Sequence, residues 1–318
     1  MLCRRLLALC VVWGLIAVAL PARSQDKDKA ELKWKFEKDK VFWQEMTTET
    51  NQNMKISGME IGQKQKQTFI FSWSPVEQDA DKNWVLKQKI EAVKMDIDIG
   101  GNKITYDSTS PTPSNNPLGD FFKVMVGAEF TLTVSPEMKI TKIDGREKFL
   151  DSLTKANPQM KTLLDAILSD KAMEQMADPL FAAVPHKEVT KGETWKRDGK
   201  LNLGPIGSYE TSHEYTYEGP EKGLHKIKVA VKLKYTAPTE QAASGLPFRI
   251  KSADLQSKEA GGLILFDRQK GRVESGEIGM TLEGKLTIEI AGMSNDVELK
   301  QTQKTTFKIT DKDPIGKK

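Results

Sequence analysis

Three histidines, His186, His213 and His225, are the first candidates for acid–base work near neutral pH, and none has a second histidine four residues away to make a metal-binding helix face. His186 follows Pro185 in a connecting segment. His213 takes an aromatic position in an alternating run and reads as a packing side chain. His225 opens a strand and is expected on its outward face. Asp96-Ile-Asp98-Ile-Gly100-Gly101-Asn102, with Asp107 at the twelfth position, has part of a calcium-loop pattern. Its fifth position is a glycine instead of an oxygen ligand, and its twelfth is an aspartate where a bidentate glutamate is wanted. Gly100-Gly101-Asn102 reads better as a hairpin turn, because these residues tolerate positive φ. Ser152-Leu-Thr-Lys155 has the spacing of serine acyl enzymes without their companion SDN and KTG motifs. HExxH, GxSxG, a strand-borne GxGxxG and a P-loop lysine are all missing from the sequence. No catalytic, cofactor or metal residue is therefore assigned, and the chain is expected not to be an enzyme.

Compartment follows from the first residues. Met1–Arg5 carries two arginines, Leu6–Leu20 is uncharged and apolar, and Pro21 breaks the run. Ala22-Arg23-Ser24 then puts small residues at the two positions a signal peptidase reads. Residues 1–24 are expected to be a signal peptide, since the apolar run is shorter than the roughly 20 residues a membrane span needs. Loss of Arg4, Arg5 and Arg23 lowers the 48 basic residues to 45 against 44 acidic, which leaves no bulk charge for nucleic acid. Cys3 and Cys10 leave with the leader, excluding disulfides, thiol catalysis and thiolate metal sites from the mature chain. The mature protein is expected to be soluble and exported, periplasmic or extracellular, with no membrane span after cleavage.

The elements that position any site are mostly strands. Met280, Leu282, Leu286, Ile288 and Ile290 alternate with polar residues, as do Ile227, Val229, Val231, Leu233 and Tyr235 with lysines, and Phe69, Phe71 and Trp73 with Thr68 and Ser72. Runs of this length predict long strands with one apolar face, as in a curved antiparallel sheet. Leu86 and Ile90 share one parity while Val93, Met95 and Ile97 share the other, which predicts a bulge near Ala92 and Val93. Asn116-Pro117 caps a short helix at about 117–126, and Gly127 can end it. Helical periodicity returns at about Arg146 to Ala156, after Asn157-Pro158, and after a capping Ser169. Loops are expected at Ser108–Asn116 and Ala237–Gly245.

The order of features occurs twice: QTFIFSWSP matches SHEYTYEGP in type, and TLTVSPEMKITKI matches LILFDRQKGRVES. The predicted organisation is an N-terminal β unit (25–144), a helical segment (145–185) and a C-terminal β unit (186–318). The fold class is mainly β (α+β): two tandem curved antiparallel β units with a central group of short helices on the concave side. Those helices present Phe121, Phe122, Leu164, Met173, Met176 and Phe181, apolar and partly adaptable side chains that are the candidate ligand-lining residues.

NPLGDFFKVMVGAEFTLTVSPEMKITKIDG, PLFAAVPHKEVTKGETWK and GPIGSYETSHEYTYEG resemble a family of uncharacterised secreted bacterial proteins known only as a domain of unknown function. The motifs are structural, so the resemblance implies no site residues. In this chain the hairpin turn is Ser135-Pro136-Glu137-Met138, where the resemblance implies a glycine. A long-stranded sheet with helices in its hollow is also similar, at the level of fold, to envelope lipoprotein and lipid carriers. The leading expectation is an exported, non-enzymatic binding protein holding a hydrophobic, lipid-like ligand between sheet and helices. The alternatives are an envelope or extracellular scaffold with a filled core and an enzyme with an unrecognised carboxylate site. The expected partner is a hydrophobic small molecule or an envelope protein.

Overall fold

Period-two alternation becomes strands of unusual length, because one face can be buried along the whole run while the other stays charged. The computed structural model describes residues 28–111, 119–239 and 248–316. The expected signal peptide, the expected Asn116-Pro117 cap, and most of the expected Ser108–Asn116 and Ala237–Gly245 loops lie outside them. The early strands are β1 (Lys29–Leu32), β2 (Phe42–Ile56), β3 (Met59–Gln78), β4 (Trp84–Ile99), β5 (Asn102–Asp107), β6 (Glu129–Val134) and β7 (Ile140–Asp144). The later ones are β8 (Lys187–Thr190), β9 (Thr194–Asn202), β10 (Ser208–Glu221), β11 (Leu224–Thr236), β12 (Arg249–Asp267), β13 (Arg272–Ile290) and β14 (Met293–Thr310). The short helix α1 (Gly119–Met125) lies between β5 and β6, and α2 (Arg146–Ala156), α3 (Lys161–Ile167) and α4 (Asp170–Ala182) stand between the two sets.

All but two strands form one antiparallel sheet in the order β7-β6-β4-β3-β2-β14-β13-β12-β11-β10-β9, with β5 beside β6 on the edge of β4. The halves expected as tandem units thus share a single sheet, joined where β2 pairs β14 from Trp43↔Thr310 to Ile56↔Val297. The pair β1 and β8, unforeseen from their short sequences, forms a separate ribbon. The expected bulge is present: register shifts between Ile70 and Phe71 leave Glu91 as the extra residue of β4.

Helix α4 packs against both β7 and β9, which stand at opposite ends of the strand order, so the sheet curls round until its two edges meet one helix. This contact also covers edge backbone that would otherwise template further pairing. Ser169 caps α4 by accepting from the Ala172 N–H at 3.3 Å. Helices α1–α3 close the same gap nearer the other end. Phe122 meets Tyr106 of β5 at 5.4 Å, and α3 abuts the 3-10 turn Gly204–Ile206. A Cβ on Gly204 would sit 2.6 Å from the Ala166 Cβ, at a φ of +57°, so this approach requires glycine. Arg146 ties the helices together by donating to the Leu168 carbonyl beyond the end of α3 and lying 3.6 Å from Asp170 of α4.

The outer face is wet and paired, with Lys66–Glu49 at 2.8 Å and Lys304–Glu277 at 2.9 Å among its ion pairs. Inside, one end is filled. Trp73, Tyr217, Phe266 and Phe181 are all at most 2% exposed. Phe181 of α4 meets Trp73 edge-on at 5.6 Å and Trp34 at 5.5 Å. This end, below the β3–β4, β10–β11 and β12–β13 turns, is the floor of the molecule.

Candidate ligand trough and its seam

Above the floor the inner face changes character. Trp73, Phe71 and Phe69 of β3 give way to Gln67, Gln65 and Gln63, and Ile309 and Phe307 of β14 give way to Thr305, Gln303 and Gln301. The β3 amides bond one another along the strand, and a threonine pair bonds across β2 and β14. Gln63 donates to Gln65 at 3.3 Å, Gln65 to Gln67 at 3.2 Å, and Thr48 shares a hydrogen bond with Thr305 at 3.1 Å. A cavity of about 740 Å³ lies between the Gln303 and Gln301 end of β14 and α4. That volume falls within the roughly 300–1,000 Å³ of small-molecule sites. Its far wall is Leu233, Met280, Leu282, Gln301 and Gln303, with Tyr209 and Tyr215 at the side.

The seam where α4 meets the two sheet edges forms the mouth. Met138 lines it from the β6–β7 turn, is 3% exposed, and has φ +60°. The turn thus places a left-handed methionine where glycine was expected, closed by Met138 N–H on the Ser135 carbonyl at 2.9 Å. Such a conformation costs about 1–2 kcal/mol in a residue with a Cβ. It sets the side chain into the cavity wall. Gln175 Oε1 and Trp195 Nε1 are buried at this seam without hydrogen-bond partners among the described residues.

Burial sets the titration of the polar groups here. His213 stacks on Tyr215 at 6.1 Å, and desolvation holds its pKa below the ordinary histidine value. Burial raises the Tyr209 hydroxyl. Burial first, and then the nearness of Tyr209, pushes Tyr235 up to about 12, while Tyr235 donates to the Ile206 carbonyl at 2.6 Å. At the floor, His186 accepts from the Trp34 N–H at 3.2 Å, and His225 Nδ1 lies 2.7 Å from the Tyr217 hydroxyl. Burial lowers both of these histidines as well. His225 therefore does not face outward as expected: it shares the parity of Ile227 and Val229, which point inward, and so reaches the buried Tyr217.

The six sequence-predicted lining residues are dispersed. Met176 lines the cavity and is 47% exposed. Phe181 is sealed in the floor, and Met173 packs against the same core. Leu164 and Phe121 belong to a small core among α1–α3, and Phe122 is buried against Tyr106. Sequence reasoning missed Met138, Leu233, Met280, Leu282, Gln301 and Gln303 as a lining. The signal was available in parity, since all the strand members occupy inward positions of alternating runs. Gly100 and Gly101 form the β4–β5 turn at φ +58° and +91°, and Asp98 accepts from the Gly101 N–H at 2.9 Å. Ser152 donates to the Lys148 carbonyl on the exposed face of α2.

Residues 81–273, more than half of the chain, match the sequence profile of a family of unknown function, DUF6263. No curated protein matches the chain. Among solved structures, a lipovitellin described for its lipid–protein interactions superposes on 89% of this chain at 10% identity and a TM-score of 0.46. The chain spans only 27% of that lipovitellin. OccK5 (OpdH) of Pseudomonas aeruginosa matches over 86% of this chain and 99% of its own, at 7% identity and a TM-score of 0.25. A DUF1329 family protein from Desulfovibrio piger covers 86% of this chain and 87% of its own, at 8% identity and a TM-score of 0.13. Among the described residues no helix is long and apolar enough to cross a membrane.

Proposed function

The chain belongs to the DUF6263 family of unknown function, and we propose that it is an exported, non-enzymatic binding protein holding a hydrophobic, lipid-like ligand in the trough. One observation carries this reading: a cavity of about 740 Å³ whose far wall, Leu233, Met280, Leu282, Gln301 and Gln303, bears no charge. A chain-like ligand would meet methionine and leucine, which adapt to varied shapes, and the uncharged amides of Gln301 and Gln303. The charged, apolar and small-residue pattern of residues 1–24, which reads as a signal peptide, supports export. The test is mass spectrometry of an organic extract from natively purified protein, with a solvatochromic dye titrated into the stripped protein. A co-purifying lipid and saturable dye binding that Met280→Glu reduces are expected. No extractable ligand together with no dye response would sink the proposal.

A second reading, an interaction protein of the envelope, is favoured by a different observation. Met59, Ile99, Ile290 and Met293 are 41–68% exposed and stand at the tips of the β2–β3, β4–β5 and β13–β14 hairpins, which neighbour one another opposite the floor. Clustered exposed apolar residues mark contact surfaces more than scattered ones do. This reading predicts a defined protein partner on cross-linking that is lost in a Met59→Ser, Met293→Ser variant.

A further inference from the structure

The far wall of the trough is neutral, and the Arg197 side of β9 faces it. At the cavity, inward register positions of β10, β11, β13 and β14 hold aromatic, aliphatic, hydroxyl and amide side chains and His213, whose pKa burial lowers. On β9 the position paired with His213 is Arg197, half-buried and lining the cavity. Its neighbours alternate to the outer face and are neutralised there: Lys196 by Glu214 at 3.0 Å and Lys200 by Glu210 at 3.2 Å. Asp198, the nearest carboxylate in sequence, also faces outward, where Ser212 donates to it at 2.6 Å. On α4, Lys171 is paired with Glu174 at 3.4 Å. Among the described residues Arg197 has no carboxylate partner, and neither does Lys139, which lines the seam from the β6–β7 turn. Among the described residues, two cations without a carboxylate partner thus line a cavity whose other charged lining residues, Lys171, Glu174, Lys196, Asp198 and Lys200, are each engaged with another side chain.

Resting on the trough reading, we propose that the ligand is an anionic amphiphile, a long-chain carboxylate, with its acid group held by Arg197 and its chain laid along Leu233, Met280 and Leu282. Charge and position both fit. A guanidinium offers a planar pair of donors to a carboxylate, and hydrogen bonds to ionised groups are the stronger class. An apolar chain alone would leave the Arg197 charge half-desolvated with no counter-charge, whereas an acid head relieves that cost. Lys139 supplies a second, weaker attraction from the opposite side of the seam.

The experiment compares oleate with oleyl alcohol, which has the same chain and a neutral head, by calorimetric titration of the stripped mature protein. Oleate is expected to bind about tenfold or more tightly than the alcohol. Arg197→Met should remove that preference while leaving the alcohol's affinity within about twofold, Arg197→Lys should keep part of it, and Lys139→Met should reduce it slightly. Circular dichroism checks that each variant is folded, and the wild-type comparison stands without any variant. Equal binding of oleate and alcohol, or an oleate preference that survives Arg197→Met, overturns the assignment of an acid head while the trough reading stands. Binding of neither compound overturns both.

Discussion

Floor and trough are built from the same strands, and they differ by what stands at successive inward positions. Along β3 the inward series runs Trp73, Phe71, Phe69, Gln67, Gln65, Gln63; along β14 it runs Ile309, Phe307, Thr305, Gln303, Gln301. The aromatic half is closed, and some of its polar atoms are matched, with Trp73 Nε1 donating to Gln44 at 3.0 Å and Tyr217 bonded to His225. The amide half stays half-exposed beside the cavity. Each aromatic side chain gains from leaving water in proportion to the apolar area it hides, whereas an amide that stays partly wet loses little. The lesson is that one curled sheet can be a packed core at one end and an open container at the other without any break in its strands. Stability is concentrated in the floor, which leaves the trough free to be shaped for a ligand.

The largest expected effect tests that division directly. Phe181→Ala removes a fully buried ring from between Trp34, Phe36 and Trp73 and should destabilise the protein by about 3–5 kcal/mol. Gln303→Ala in the trough should change stability by no more than about 0.5 kcal/mol. Urea unfolding of the two variants measures both. Comparable losses would mean that the trough wall is part of the core.

Next in size is the ion pair that ties the end of β14 to the floor. Arg272 is 7% exposed, lies 6.0 Å above the Phe42 ring and donates to Asp311 at 2.5 Å, while its Nε and Nη2 lack partners. Asp311→Asn leaves this guanidinium without a counter-charge and should cost about 2 kcal/mol, less than the roughly 3–5 kcal/mol of a fully buried pair because Asp311 is half-exposed. The Arg272 hydrogen bond, foremost, holds the Asp311 carboxyl below its ordinary value. A carboxyl lowered in the folded state contributes stability that is present above its unfolded pKa, about 3.9, and is lost as pH falls through the folded value. The three histidines act earlier on the pH axis in the same direction. Each is lowered by burial, so the unfolded chain takes up protons first and stability declines as pH drops below about 6.5. Thermal melting from pH 8 to pH 3 should therefore fall in two stages, and Asp311→Asn should flatten only the acidic one. A melting temperature that rises between pH 7 and pH 5 would contradict this.

Much of this division could be read from the residues themselves. The alternation of Met280, Leu282 and Leu286, the Gly100-Gly101 turn, the Ser169 cap and the bulge at Ala92 are all local patterns, and local patterns report strand, turn and cap without knowledge of what lies across the sheet. The trough was less legible. Phe181 and Met176 lie on the same helix with similar apolar character, yet one plugs the floor and the other borders the cavity. Only the curl that brings β7 and β9 to opposite sides of α4 distinguishes them, and curl is a property of long-range pairing. Arg197 shows the same limit, being one basic residue in a run of charges until its register with His213 places it inward.

The smallest effect lies at the seam, where floor and trough requirements compete within one residue. Met138 holds a left-handed backbone that glycine adopts freely, yet its side chain is almost wholly buried against the cavity. Truncation to alanine loses the buried side chain and keeps the backbone strain, because alanine has a Cβ. Truncation to glycine loses the same packing but releases the strain, worth about 1 kcal/mol. Met138→Gly should therefore be more stable than Met138→Ala by about 1 kcal/mol in urea unfolding, the reverse of the order found in helix or strand interiors. Both variants should bind an apolar dye differently from the wild type, since both enlarge the trough at its mouth. If alanine proves the more stable of the two, the turn is not strained and Met138 is present for the hairpin, not for the cavity.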